Sequence, residues 1–145
     1  MQNPKLLKLF AETKLESPET NFSYVSIPVK YWSEVVSKIE PENFVSITKD
    51  SDKEISLIIA TDTWEKLDKG SIKYLISSNW RKFTFSGEGL MEIVGYLSKI
   101  SLLLAQNNIS MMPFSTYHRF NLLVKESDYN KAQAILKIFL RQNMI

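Results

Sequence analysis

Apolar residues recur at helical spacing most regularly in the second half of the chain. Ile93, Leu97, Ile100 and Leu104 fall on one face, with Lys99 and Gln106 on the other, which predicts a helix. Asn107-Asn108 ends it, because Asn tolerates the left-handed cap conformation. Tyr129, Ala132, Leu136 and Phe139 form a second stripe, with Lys131, Lys137 and Arg141 outside it. Ser127 is the predicted cap of that helix, and Asp128 lies in its first turn, where the helix dipole favours an anion. Elsewhere the period shortens. Trp80–Phe85 puts Phe83 and Phe85 on one face of a strand, and Ile109–Phe114 and Phe120–Val124 read as two more. Residues 80–141 thus read strand, helix, strand, strand, helix. One more strand would complete a βαββαβ unit.

The first half holds similar material in a less regular form. Leu6–Phe10 predicts a short strand. Tyr24–Val29 alternates weakly, and Pro28 argues for an edge strand or an extended loop. Trp32, Val35, Val36 and Ile39 predict a short helix, stopped by Pro41. Phe44, Val45 and Ile47, then Ile55–Ile59, predict a hairpin around the polar turn Lys49-Asp50-Ser51-Asp52-Lys53. Asp62 and Glu65 form a helix-start pattern, with Gly70 as the stop. Residues 71–79 stay open between a helical turn and a loop. The pattern is an α+β sandwich built as a degenerate tandem repeat. The predicted boundaries are 1–79 for the degenerate unit and 80–145 for the regular one, packed as one compact body.

Composition narrows the function classes. The chain of 145 residues has 18 basic and 16 acidic side chains, a net charge of +2, and no run of Lys or Arg longer than two. No electrostatic footprint for nucleic acid or a membrane surface results. There is no cysteine, which removes disulfides, thiolate metal sites and cysteine nucleophiles. His118 is the only histidine and has no acidic neighbours at ligand spacing, so neither a metal site nor a cofactor is expected. Asp50-Ser-Asp52-Lys-Glu54 lacks the Gly and distal Glu of a calcium loop. The phosphate-binding, dinucleotide, zinc-protease and serine-hydrolase motifs are missing, and no catalytic residue is assigned. The first ten residues do not read as a signal peptide, and the apolar run Leu90–Ala105 is interrupted by Glu92, Gly95, Ser98, Lys99 and Ser101. A cytoplasmic protein is the expectation.

One stretch carries a resemblance. It has a glycine opening the helix (Gly95), an Ala near its end (Ala105), the strand start Ile109-Ser110, and the triplet Ser115-Thr116-Tyr117. Leu123-Val124, Ala132 and Leu136 follow at matching spacing. Earlier, Phe44–Thr48 with Glu54-Ile-Ser56-Leu, and then Trp80 and Gly87, fit the same pattern. Over roughly residues 20–140 the chain resembles tandem ACT-domain proteins related to cytosolic arginine sensors and the regulatory half of aspartate kinases. The resemblance implies ferredoxin-like ACT units in tandem, the first degenerate. It implies a regulatory domain without catalysis that binds a small molecule, an amino acid, and works as a homodimer with an effector protein. The implied ligand-binding residues are Glu92, Ile93, Gly95, Met111, Met112, Ser115 and Thr116.

Similar proteins carry an Asp three residues after the triplet, as partner for a ligand ammonium group; here that position is Phe120. Glu92 is a candidate replacement. The competing reading is a protein-interaction module that has lost its ligand. At Gly95 the alternative is close helix–sheet packing, and at Ser115–Tyr117 it is ordinary turn chemistry.

Overall fold

Asn3 starts the first element of the chain. Its side-chain oxygen accepts the Lys5 amide at 3.0 Å, and Pro4 follows at the first helical position, a pairing that initiates helices. The computed structural model, which describes residues 3–41 and 44–142, therefore has helix α1 at Pro4–Glu12. The short apolar run Leu6–Phe10 predicts a strand, and the structure corrects this. Leu6, Leu9 and Phe10 are spaced for one helical face, and that face is buried. Strand β1, Lys14–Glu16, follows.

The chain divides into two units, Thr20–Trp80 and a second made of Met1–Glu19 with Arg81–Ile145. Residues 1–19, which the sequence pattern joins to the first unit, group with the second.

In Thr20–Trp80 the order is β2 (Phe22–Pro28), a 3-10 turn (Val29–Tyr31), α2 (Trp32–Lys38), β3 (Val45–Lys49), β4 (Glu54–Ala60), α3 (Thr61–Lys66) and the start of β5 (Leu75–Ser86). The strands lie in the order β3-β4-β2-β5, all antiparallel. The predicted hairpin is β3–β4, and Ser51 Oγ closes its turn by accepting the amides of Lys53 and Glu54 at 3.1 and 3.3 Å. Ile27, Ile55, Leu57, Ile59 and Trp64 form the core of this unit.

Several expectations change here. Pro28 does not mark an edge strand: β2 lies between β4 and β5, and Pro28 is its last residue, where a missing donor does little harm. Of the predicted α2 face only Val35 is buried, while Trp32 and Val36 are exposed. Helix α3 begins at Thr61 with no side-chain cap bond, so Asp62 is a first-turn residue rather than a cap. Residues 75–79 are strand. A one-residue register shift near Asn79, whose φ is +67°, breaks the alternation that would have revealed it.

In the other unit, β5 continues to Ser86, followed by α4 (Tyr96–Gln106), β6 (Met111–Ser115), β7 (Arg119–Lys125), a 3-10 turn (Glu126–Asp128) and α5 (Tyr129–Gln142). The predicted cap Ser127 sits inside that 3-10 turn. Asn108 takes the left-handed conformation (φ +59°) after α4, as expected. The strand that completes the βαββαβ pattern comes from the other end of the chain. β1 pairs antiparallel with β5, Lys14 opposite Ser86 and Glu16 opposite Thr84, giving the order β1-β5-β7-β6. Phe83, Phe85, Ile100, Leu104, Leu122, Val124, Ala132 and Leu136 form the core, joined by Leu6, Leu9 and Phe10 of α1. Among the described residues no helix is long and apolar enough to cross a membrane.

Candidate functional site

A βαββαβ unit brings the loop after its first strand and the turn between its second and third strands to the same end of the sheet, because both leave strand ends that point the same way. Here those segments are Gly87–Gly95 and Thr116–His118. Between them lies a cavity of about 550 Å³ lined by Gly87, Glu88, Gly89, Leu90, Met91, Glu92, Thr116, Tyr117 and His118. That volume suits a small molecule.

The loop is held by short-range bonds. The Leu90 amide donates to the Gly87 carbonyl at 3.3 Å, and the Glu92 amide to that of Gly89 at 3.0 Å. Gly89 has φ +74°, which a side chain would strain. Leu90 is buried and anchors the loop to the core. Opposite, the Thr116 amide donates to the Arg119 carbonyl at 3.0 Å and closes the turn. The Tyr117 and His118 rings meet edge to face at 4.7 Å. Two acidic residues, Glu88 and Glu92, line the cavity with the hydroxyl residues Thr116 and Tyr117 and with His118, and neither Lys nor Arg lines it. Such a wall accepts an ammonium group more readily than an anion.

Of the residues singled out from sequence, the cavity unites Glu92 and Thr116. Ile93 is half-buried against the core, as is Met111. Met112 lies on β6 opposite Leu123, and Ser115 ends that strand opposite Phe120. Gly95 is the residue before the first turn of α4 at φ +97°, and a Cβ there would lie 3.5 Å from Leu6 Cδ2. None of these five lines the cavity. Tyr117, the last residue of the Ser115–Tyr117 triplet, does line it, whereas the sequence pattern does not single out Glu88, Leu90, Met91 or His118 as binding residues. The signal that could have found them is topological: loop and turn share one end of the unit.

Phe120, in the position where an Asp is expected, is 3% exposed and faces the helix side of the sheet. Its ring sits 5.4 Å from Phe85 and 6.3 Å from Tyr96. A carboxylate there would enter apolar packing, not the cavity.

A second polar group occupies the other face of the same sheet. Lys82, Thr84 and Asn121 are all buried. Thr84 Oγ1 donates to Asn121 Oδ1 at 2.7 Å, whereas Asn121 Nδ2 is buried without a hydrogen-bond partner. Burial, reinforced by the Arg119 guanidinium and opposed by Glu16, pushes the Lys82 ammonium down to about 8. Among the described residues no cluster of three His, Asp or Glu could hold a metal ion.

Comparison with known proteins supports this fold. Residues 75–137 match the family profile described as the ACT domain. No curated protein matches the chain by sequence. Among solved structures, a protein of Agrobacterium tumefaciens is 23% identical, with a TM-score of 0.67 and 87% of each chain covered. A protein of unknown function from Vibrio cholerae, described as a possible transport protein, is 14% identical over 94% of this chain and 96% of its own, with a TM-score of 0.68. The regulatory subunit of aspartate kinase from Thermus thermophilus is 11% identical over 85% of this chain and 94% of its own, with a TM-score of 0.65. At these identities the likeness is one of fold.

Proposed function

Residues 75–137 being an ACT domain, we propose that the chain is a regulatory domain without catalytic activity, which binds a small molecule of the amino-acid class in the cavity between the 87–92 loop and the Thr116–His118 turn. The observation that carries this reading is the cavity itself, about 550 Å³ with Glu88 and Glu92 on one wall and Thr116 on the other. The carboxylates supply the charge for a ligand ammonium that Phe120 cannot. Thr116 and the backbone groups of the loop supply orientation. Thr20–Trp80 is read as a second, degenerate unit of the same plan. Its helices span 7 and 6 residues against 11 and 14 for α4 and α5. Two copies pair in this reading, and an effector protein receives the signal, since a ligand acts only through differential affinity for two states.

The test is a thermal-shift screen against the twenty amino acids with nucleotides as controls. One amino acid should raise the melting temperature, and Glu92→Gln or Glu88→Gln should abolish the rise. A flat screen at millimolar concentration rejects the amino-acid reading. It favours a protein-interaction module, which the exposure of Val94 (86%) and Tyr117 (89%) beside the cavity also suits.

A further inference from the structure

The loop that walls the cavity has a second side. Its front, Gly87 to Glu92, faces the cavity. Its back rests on α1. A Cβ built on Gly87 would come 3.0 Å from Leu9 Cδ1, closer than side chains ordinarily approach, and within 4.0 Å of Thr13 Cα. Gly87 has no positive φ, so crowding rather than backbone strain opposes a side chain there: Leu9 is too close, and Thr13 Oγ1 and Cα follow at ordinary contact distance, 3.9 and 4.0 Å. At the far end of the loop, Leu6 lies behind Gly95. Leu90, between them, shares one core with Leu6, Leu9 and Phe10. At Gly87 the cavity and α1 are therefore separated by a single thickness of backbone.

What lies behind Gly87 is a corner. Helix α1 ends at Glu12 and β1 begins at Lys14, paired with Ser86, the residue before Gly87. Ring contacts and hydroxyl bonds hold this corner. Phe10 stacks on Tyr96 at 4.8 Å and meets Phe139 edge-on at 4.9 Å. Thr13 Oγ1 donates to the Leu9 carbonyl at 2.7 Å, which leaves the Tyr96 hydroxyl to donate to Thr13 at 2.9 Å. β1 itself has three residues.

We infer that α1 and β1, residues 4–16, are the output element of the cavity. A molecule filling the cavity bears on the loop, and Gly87 passes the displacement to Leu9 and Thr13. The hold on the α1–β1 corner changes accordingly. Packed contacts with no side-chain layer between them transmit such shifts, and the coupling is reciprocal: loosening α1 alters the loop, and with it affinity in the cavity. The ligand half of this inference rests on the cavity reading above; the coupling across Gly87 does not.

The experiment is hydrogen exchange on the full chain, with β7 amides as internal reference for global opening. Gly87→Ala should speed exchange about tenfold, relative to β7, over both residues 4–16 and 87–92. Leu9→Ala added to Gly87→Ala makes room for the new methyl and should return 87–92 to the rate of Leu9→Ala alone. Thr13→Val is nearly isosteric and keeps the test open should Gly87→Ala fail to fold. It loosens the corner from the side away from the cavity, and 87–92 should follow. Exchange that rises over 4–16 alone overturns the coupling. The same measurement is then made with each of the twenty amino acids. If one raises the wild-type melting temperature, it should slow exchange over 4–16, and Gly87→Ala should weaken its binding about tenfold. Binding that leaves 4–16 unchanged overturns the output role while the cavity reading stands. A flat screen overturns the amino-acid reading, and exchange in the three substitutions alone then decides the coupling.

Discussion

Tyr96 Oη lies 2.9 Å from Thr13 Oγ1, across 83 residues of sequence. Tyr96 opens α4, and Thr13 is the residue that ends α1. The bond fastens the N-terminal segment to the unit whose sheet it completes. Replacing Tyr96 with Phe keeps the ring and removes the bond, and should lower stability by about 1 kcal/mol in urea unfolding. A loss within error would mean that the ring stacking alone holds the segment.

Two buried groups set opposite pH dependences. Lys82 falls from 10.5 unfolded to about 8 folded, chiefly through burial. Its contribution is complete above 10.5 and is lost as pH falls through 8. Tyr96 rises from 10.0 to about 12, again through burial. Its contribution is complete below 10 and is lost as pH rises through 12. Stability should therefore increase between pH 8 and 10, where Lys82 loses its proton and Tyr96 keeps its own. Lys82→Met should flatten that rise and, at pH 7, stabilise the protein by on the order of 1 kcal/mol. Unfolding curves at pH 7, 8, 9 and 10 test both statements, and a rise that persists in Lys82→Met assigns it elsewhere.

Phe120→Asp tests whether the missing carboxylate is a lost ligand group or a packing choice. Phe120 is buried between Phe85 and Tyr96. Removing the ring leaves a cavity, and the new carboxylate would be buried without a partner. A loss of about 3 kcal/mol or more is expected, with no gain in amino-acid binding. A stable variant that binds an amino acid better than wild type would contradict the packing account.

Gly95 should resist substitution for backbone reasons. Its φ of +97° is strained for any residue with a Cβ, while the nearest side-chain atom, Leu6 Cδ2, is at ordinary contact distance. Gly95→Ala should cost about 1–2 kcal/mol. Leu6→Ala should not relieve it. Rescue by Leu6→Ala in thermal melts would assign the cost to crowding.

The elements whose signals are local were legible in the chain. Of the predicted α4 face, Ile100 and Leu104 are buried as the spacing requires, whereas Leu97 is exposed and Ile93 precedes the helix. The β3–β4 hairpin follows from two β-branched runs around a polar turn. Asn108 ends α4 by its own conformational tolerance of the left-handed region, with Asn107 as the helix's last cap residue. The first helix is not legible locally because Leu6–Phe10, seen alone, is a short apolar run, and such runs suit a strand as well as a helix. Only Asn3 and Pro4 ahead of it tip the balance. Residues 75–79 were hidden by a register shift and by side chains that stay exposed, Leu75 at 74% and Ile76 at 45%.

The sequence by itself determined the helical period of α4 and α5, the stop at Asn108, the turn of the β3–β4 hairpin, and the ACT-like pattern from Gly95 to Val124. These depend on residues within a few positions of one another. Tertiary structure alone decided that Lys14–Glu16 would be the closing strand beside Thr84–Ser86, and that Leu6 and Leu9 would lie behind Gly95 and Gly87. It alone decided that Glu88 and Glu92 would face Thr116 across a cavity. A three-residue strand has no periodicity to read. Its partner is chosen by which sheet edge stands open and which apolar face needs cover, and both exist only once the rest of the unit has formed.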